Sequence, residues 1–200
     1  MLDGMADRPY HHGDLRAALI ASAERALAER GPSALSLREL AREAGVSHAA
    51  PGRHFKDKQA LLDALALTGF DRLTGRLEHA LDTAEDTGAR TRVLALARTY
   101  VGFAIDSAAL LDLMYARKHD SRASPQLSSA VERLLDTVVR PIIDGQAGGE
   151  IAGDDPGPVA ATVSAALHGF ASLNAATSPE KVEESLAEVV RVLFEGLAPR

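Results

Sequence analysis

The 200-residue chain contains no cysteine and no tryptophan, and only three Tyr and five Phe. Without thiols, disulfides, iron–sulfur clusters, thiolate zinc sites and cysteine nucleophiles are all excluded. The same absence fits a reducing cytoplasm. With aromatics at 4%, the core has to come mainly from Leu, Val and Ala. Ala and Leu are strong helix formers, and no run alternates β-branched with polar residues, so the chain reads as all-α. An apolar leader is also missing. The first ten residues carry Asp3, Asp7 and Arg8, and no signal peptide is expected.

What is present is an ordinary globular composition, 46% hydrophobic and 25% charged, of a length suited to one domain or two small ones. Twenty-two basic against 28 acidic residues give a net charge of −6. The charge is unevenly spread. Residues 1–60 hold nine Lys/Arg and eight Asp/Glu, with four of the seven His, while residues 61–200 hold 13 and 20. Within residues 35–59 five basic side chains face three acidic ones. An acidic protein binds nucleic acid when its positive charge is gathered on one face.

Helical punctuation is frequent. Leu15, Ala18, Leu19, Ala23, Ala26 and Leu27 recur at three- and four-residue spacing, which predicts a helix over 14–30, started by Gly13-Asp14 and stopped by Gly31-Pro32. Ser36 and Glu39 form the pattern of a capping box for a helix over 37–44 that ends at Gly45. A short helix capped by Ser47 is expected over 47–55, then a long one over 59–84. Further helices are expected over 89–107, 109–117, 125–146, 159–176 and Pro179–Leu197, about nine in all. Gly148-Gly149 and residues 154–158 mark the clearest loop, and Ser178 and Pro179 a helix start. Residues 156–179 carry no Asp, Glu, Lys or Arg. Their content is mostly small and weakly polar, so they read as a tightly packed buried helix and not as a membrane span.

Residues 37–55 have the features of a helix-turn-helix. Ala41 is small enough for two helices to cross, Gly45 suits a left-handed turn, and Leu40, Val46 and Phe55 face inward. Such a unit presents the start of its second helix to the DNA major groove. The residues at 35–47, Leu-Ser-Leu-Arg-Glu-Leu-Ala-Arg-Glu-Ala-Gly-Val-Ser, followed by Arg53-His54-Phe55, Lys58 and Leu61-Leu62, resemble the DNA-binding domain of the TetR/AcrR family of transcriptional regulators. Tyr10-His11-His12-Gly13-Asp14-Leu15-Arg16 is similar to one branch of that family, as is Leu167-His168-Gly169-Phe170 further on.

The resemblance implies a cytoplasmic, homodimeric, ligand-responsive repressor, with a DNA-binding domain at 1–58 and a ligand-binding and dimerisation domain at 59–200. Its DNA-binding residues would be Ser47, His48 and Ala49 at the base edges with Ala50, and Arg53 for polar readout. His54, Lys56 and Lys58 would meet phosphates, Ser36 and Arg38 the opposite backbone, and Arg8 the minor groove. The effector pocket would draw on Phe70, Tyr100, Phe103, Met114, Tyr115, His119, His168, Phe170 and Asn174, with Arg98 nearby. Few charges on those faces favour an uncharged or weakly polar small molecule. His168, in an uncharged helix, needs a partner if buried. The dimer would form through the helices at 159–176 and 179–197, where Ala161, Ala165 and Gly169 make a ridge of small residues; the alternative is that this ridge packs within the chain. A dimer sets two recognition helices roughly 34–36 Å apart, in successive major grooves.

Two departures stand out. Gly52 occupies a place where the family usually carries an aromatic that touches a phosphate. Pro51 either removes the first hydrogen bond of a helix capped by Ser47, or falls harmlessly in the first turn of one starting at His48. The second is the expectation. Gly52 leaves open an architectural or protein-interaction role that keeps the fold without specific operator binding. Against an enzyme stand the lack of a nucleotide-binding glycine loop and of a Gly-x-Ser-x-Gly elbow, so no catalysis, cofactor or metal is expected. His11 and His12 are adjacent, not a helical metal pair, and Asp154-Asp155 and Glu183-Glu184 sit in solvated contexts.

Overall fold

The computed structural model describes residues 12–197. They form eight α-helices: α1 (His12–Arg30), α2 (Leu37–Glu43), α3 (Lys58–Asp82), α4 (Ala89–Asp106), α5 (Ala108–Lys118), α6 (Pro125–Ala147), α7 (Pro156–Leu173) and α8 (Pro179–Leu197). Two short 3-10 turns lie at Pro32–Ala34 and Pro51–Arg53, and no strand occurs among the described residues. The all-α expectation holds. Contacts divide the chain into two compact units after Leu65, two turns inside α3; the expected boundary at 58/59 stands at that helix's start. Arg8, Tyr10 and His11 lie outside the described residues.

In the first unit the inward face of α1 is Leu19, Ala23, Ala26 and Leu27, all at most 3% exposed, as the helical spacing predicts. They share a core with Leu35, Leu40, Ala41, Phe55, Leu61 and Leu65. Gly31, at φ 75°, ends α1. Glu43 at the end of α2 accepts from the Ser22 hydroxyl (2.8 Å) and the Arg30 guanidinium (3.1 Å), tying α2 to α1. Those two hydrogen bonds, Ser22 first, hold its pKa below the usual glutamate range. Ser36 occupies the N-cap of α2, but its side chain makes no cap bond, so the expected capping box is not formed.

The second unit is a bundle in which α4 packs on α5, α6, α7 and α8. Ser107 ends α4 and starts α5, and the two helices bend by 104° there. α6 begins at a cap in which Ser124 Oγ accepts from Leu127 N (3.2 Å). At its other end a Cβ on Gly145 would stand 2.7 Å from Ala89 Cβ and 2.9 Å from Ile151 Cδ1, so only glycine admits this packing. α7 starts three residues before the expected 159, with Asp155 Oδ1 accepting from Gly157 N and Pro156 in the first turn, where a missing N–H costs little. It stops at Leu173, because the Asn174 amide donates to Phe170 O and closes the helix end.

α7 is not the buried helix the sequence predicts. Val163, Leu167 and Ala171 are buried, but Ala161, Thr162, Ala165 and Ser172 are exposed, and Leu173 is 86% exposed. Its lack of charge therefore marks a face left open in a single chain. Among the described residues no single helix is long and apolar enough to cross a membrane.

Candidate DNA interface and ligand cavity

The turn of the helix-turn-helix is built as its sequence requires. Gly45 has φ 66°, its N–H donates to Arg42 O (3.2 Å), and Val46 N–H reaches Ala41 O (3.0 Å). These two bonds form a Schellman closure, which needs a left-handed residue at the glycine. The chain then enters the expected second helix, and here the expectation fails. Residues 47–55 do not form a regular α-helix. Ala50 N–H donates to Ser47 O, Arg53 N–H to Ala50 O and His54 N–H to Pro51 O, all three-residue steps. Pro51 has no N–H for Ser47 O, so that carbonyl takes Ala50 instead and the backbone tightens into a turn followed by a 3-10 turn that starts at Pro51, not at His48.

The side chains on this segment still form an outward group. Ser47, His48, Ala49, Arg53 and Lys56 are exposed, as is Arg38 at the start of α2; Ser36 and Ala50 are half-buried. Gly52 is exposed and a Cβ there would meet nothing within 4 Å. Phe55 anchors the segment beneath them, 2% exposed, with the Arg16 guanidinium 5.5 Å from its ring centre. Two expected phosphate contacts are constrained. Lys58 Nζ donates to Ser33 O (2.9 Å), and His54 Nε2 is buried with no hydrogen-bond partner among the described residues, which leaves Nδ1 for any outward contact.

The second unit holds a cavity of about 520 Å³, partly open to solvent, between α3, α4, α5, α6 and α7. Its wall is almost wholly apolar, including Phe70, Leu77, Leu96, Met114, Val139 and Ile142. α5 crosses α3 closely at one edge: a Cβ on Gly69 would stand 2.6 Å from Met114 Sδ. The polar groups gather at one end. Tyr100 Oη lies 2.9 Å from His168 Nδ1 and 3.3 Å from Tyr115 Oη. The Tyr115 and His168 rings are 4.8 Å apart, and Lys118 Nζ stands 4.3 Å from the Tyr115 ring centre. Burial, then the Tyr115 hydrogen bond, raises the Tyr100 pKa, and burial lowers that of Lys118.

Of the expected effector residues, the cavity brings together Phe70, Tyr100, Met114, Tyr115 and His168. His168 has the partner that its burial demands. The others stand elsewhere. Phe103 is fully buried with the Arg76 guanidinium 5.6 Å from its ring centre, His119 is exposed past the end of α5, and Arg98 pairs with Glu183 (2.5 Å). Phe170 and Asn174 are joined at the end of α7, off the cavity wall. Sequence reasoning missed Lys118, whose place in the last turn of α5 reads as a solvated charge at a helix C-terminus. Among the described residues no group of three or more His, Asp or Glu is placed to hold a metal.

Comparison with known proteins covers both units. Residues 19–65 match the bacterial regulatory proteins of the tetR family, and residues 93–196 match the tetracyclin repressor-like C-terminal domain. A protein of unknown function from Rhodococcus sp. RHA1 is 46% identical over 96% of this chain and all of its own, with a TM-score of 0.87. A regulatory protein of the tetR family from Rhodococcus RHA1, at 20% identity and a TM-score of 0.71, covers 93% of this chain and 98% of its own and shares the fold. The HTH-type transcriptional regulator YobS of Bacillus subtilis is 28% identical over 177 residues, covering 84% of this chain and 85% of the relative.

Proposed function

This chain belongs to the tetR family of bacterial regulatory proteins, and from that premise we propose that it is a homodimeric repressor released from a palindromic operator by a small molecule. Transcription regulation through a DNA-binding helix-turn-helix is what membership carries; the dimer, the repression and the release are our reading. The observation that carries it is α3. One helix begins at Lys58, beside the DNA-facing segment, and further along gives Phe70, Leu73 and Leu77 to the cavity wall. A ligand that favours one position of α3 over another thereby alters the presentation of residues 36–58.

In this reading Ser47, His48, Ala49 and Arg53 meet base edges, and Ser36, Arg38, His54, Lys56 and Lys58 the phosphates. Residues 1–58 bind DNA, and residues 59–200 bind the ligand and pair two chains through α7 and α8. A protein whose partner is the bacterial chromosome works in the cytoplasm, and no catalytic step is assigned to it. The test is operator affinity of free and effector-saturated protein. Release predicts a loss of about 5- to 150-fold, the usual span of such couplings. Equal affinity of the two forms contradicts it.

A second reading, an architectural protein without specific operator binding, has exposed Gly52 in its favour, since the phosphate contact of an aromatic is absent there. It predicts weak binding that ignores sequence and falls steeply with salt.

A further inference from the structure

Among the described residues Lys118 is the one lysine or arginine on the cavity wall, and no Asp or Glu lines it. That is notable in a chain of net charge −6. No described acidic side chain pairs with the Lys118 ammonium, which stands over the face of the Tyr115 ring. The acid near in sequence, Asp120, is engaged by Arg117 (2.6 Å) and Arg122 (3.2 Å). The other polar groups at this end satisfy one another: Tyr100 with His168 at 2.9 Å, and Tyr115 with Tyr100 at 3.3 Å. The second of these is long for a hydroxyl pair, so the Tyr115 hydroxyl is readily given to another acceptor. A half-buried cation without a counter-ion favours an anion beside it.

We propose that the cavity takes a molecule with an apolar body and one carboxylate-type head, the head paired with Lys118 and accepting from the Tyr115 hydroxyl. Five helices supply the apolar walls, and the volume of about 520 Å³ lies within the range of small-molecule sites. The inference departs from the uncharged or weakly polar ligand that the near absence of charge first indicated, because the one charge on the wall is a cation. It rests on the reading of this cavity as the effector site.

Titration calorimetry of the full-length protein with decanoate, decan-1-ol and decylammonium separates head from body. Decanoate is expected to bind at least about tenfold more tightly than decan-1-ol, and decylammonium more weakly than either. Lys118→Met is expected to bring decanoate down to the level of decan-1-ol while leaving decan-1-ol unchanged, and Lys118→Arg to retain the preference. If the acid and the alcohol bind equally, or if Lys118→Met keeps the preference, the anionic head is overturned while the cavity reading stands. If none of the three binds, both are overturned.

Discussion

The hydroxyl of Tyr100 lies 2.9 Å from Nδ1 of His168, joining α4 to α7 beside the cavity. The bond is local evidence that the bundle is specified by more than apolar packing, because His168 stands among Ala, Ser and Gly on an uncharged helix. Removing one partner leaves a half-buried imidazole nitrogen unsatisfied. Tyr100→Phe is expected to cost about 1 kcal/mol, or roughly 2–4 °C in the thermal midpoint for a chain of this size. Tyr115→Phe removes only the longer 3.3 Å contact and is expected to shift the midpoint less. Thermal unfolding followed by circular dichroism checks both, and the reverse order would contradict the account.

Glu43 gives the first unit a pH-dependent element. Its pKa is lowered, chiefly by the Ser22 hydroxyl and then by Arg30. A carboxyl lowered in the folded state contributes stability above its unfolded pKa, and that contribution is lost as pH falls through the folded value. Glu43→Gln is therefore expected to destabilise the protein at pH 7 by no more than about 1 kcal/mol, as exposed pairs do. The gap between wild type and variant should close as pH drops below the ordinary glutamate value of about 4.3. Urea titrations at the two pH values measure it.

Gly52 is open to substitution. Among the described residues no atom lies within 4 Å of a Cβ there and the backbone is not left-handed, so the backbone admits a side chain at this exposed position and Gly52→Tyr is expected to fold. The new ring restores the side chain that the family usually directs at a phosphate. Binding is expected to tighten by about fivefold on operator and on unrelated DNA alike, since a phosphate contact carries no sequence information. A change in sequence preference would contradict that role.

The open face of α7 makes the dimer testable. Leu173 is 86% exposed and the small residues Ala161 and Ala165 are exposed on the same helix. Leu173→Asp is expected to convert a dimer into monomer with unchanged helical content, seen by sedimentation equilibrium. A dimer that survives the change would move the interface off α7.

Much of the fold was legible because its signals are local. The buried stripe of α1, the glycine stops at Gly31 and Gly45, and the proline start of α8 follow from spacing and capping. The segment after the turn was misread because Pro51 acts on a bond four residues back, and whether the backbone tightens there is not decided by its own preference alone. The cavity was half legible. Tyr100, Tyr115 and His168 stand out as polar groups on apolar helices, whereas His119 is one step past Lys118, off the end of α5, and so falls outside the wall that Lys118 joins. Sequence marks a helix face to within a residue or two, and one residue is about 100° around a helix.

The central claim is sequence-specific DNA binding by the segment from Ser36 to Lys58. Fluorescence anisotropy at about 150 mM salt, with DNA flanking the protein's own gene beside scrambled DNA, tests it most directly. The account predicts a preference of roughly 10³ or more for the flanking DNA, and its loss in Arg53→Ala. Equal, weak binding to both DNAs, unaffected by Arg53→Ala, would contradict it.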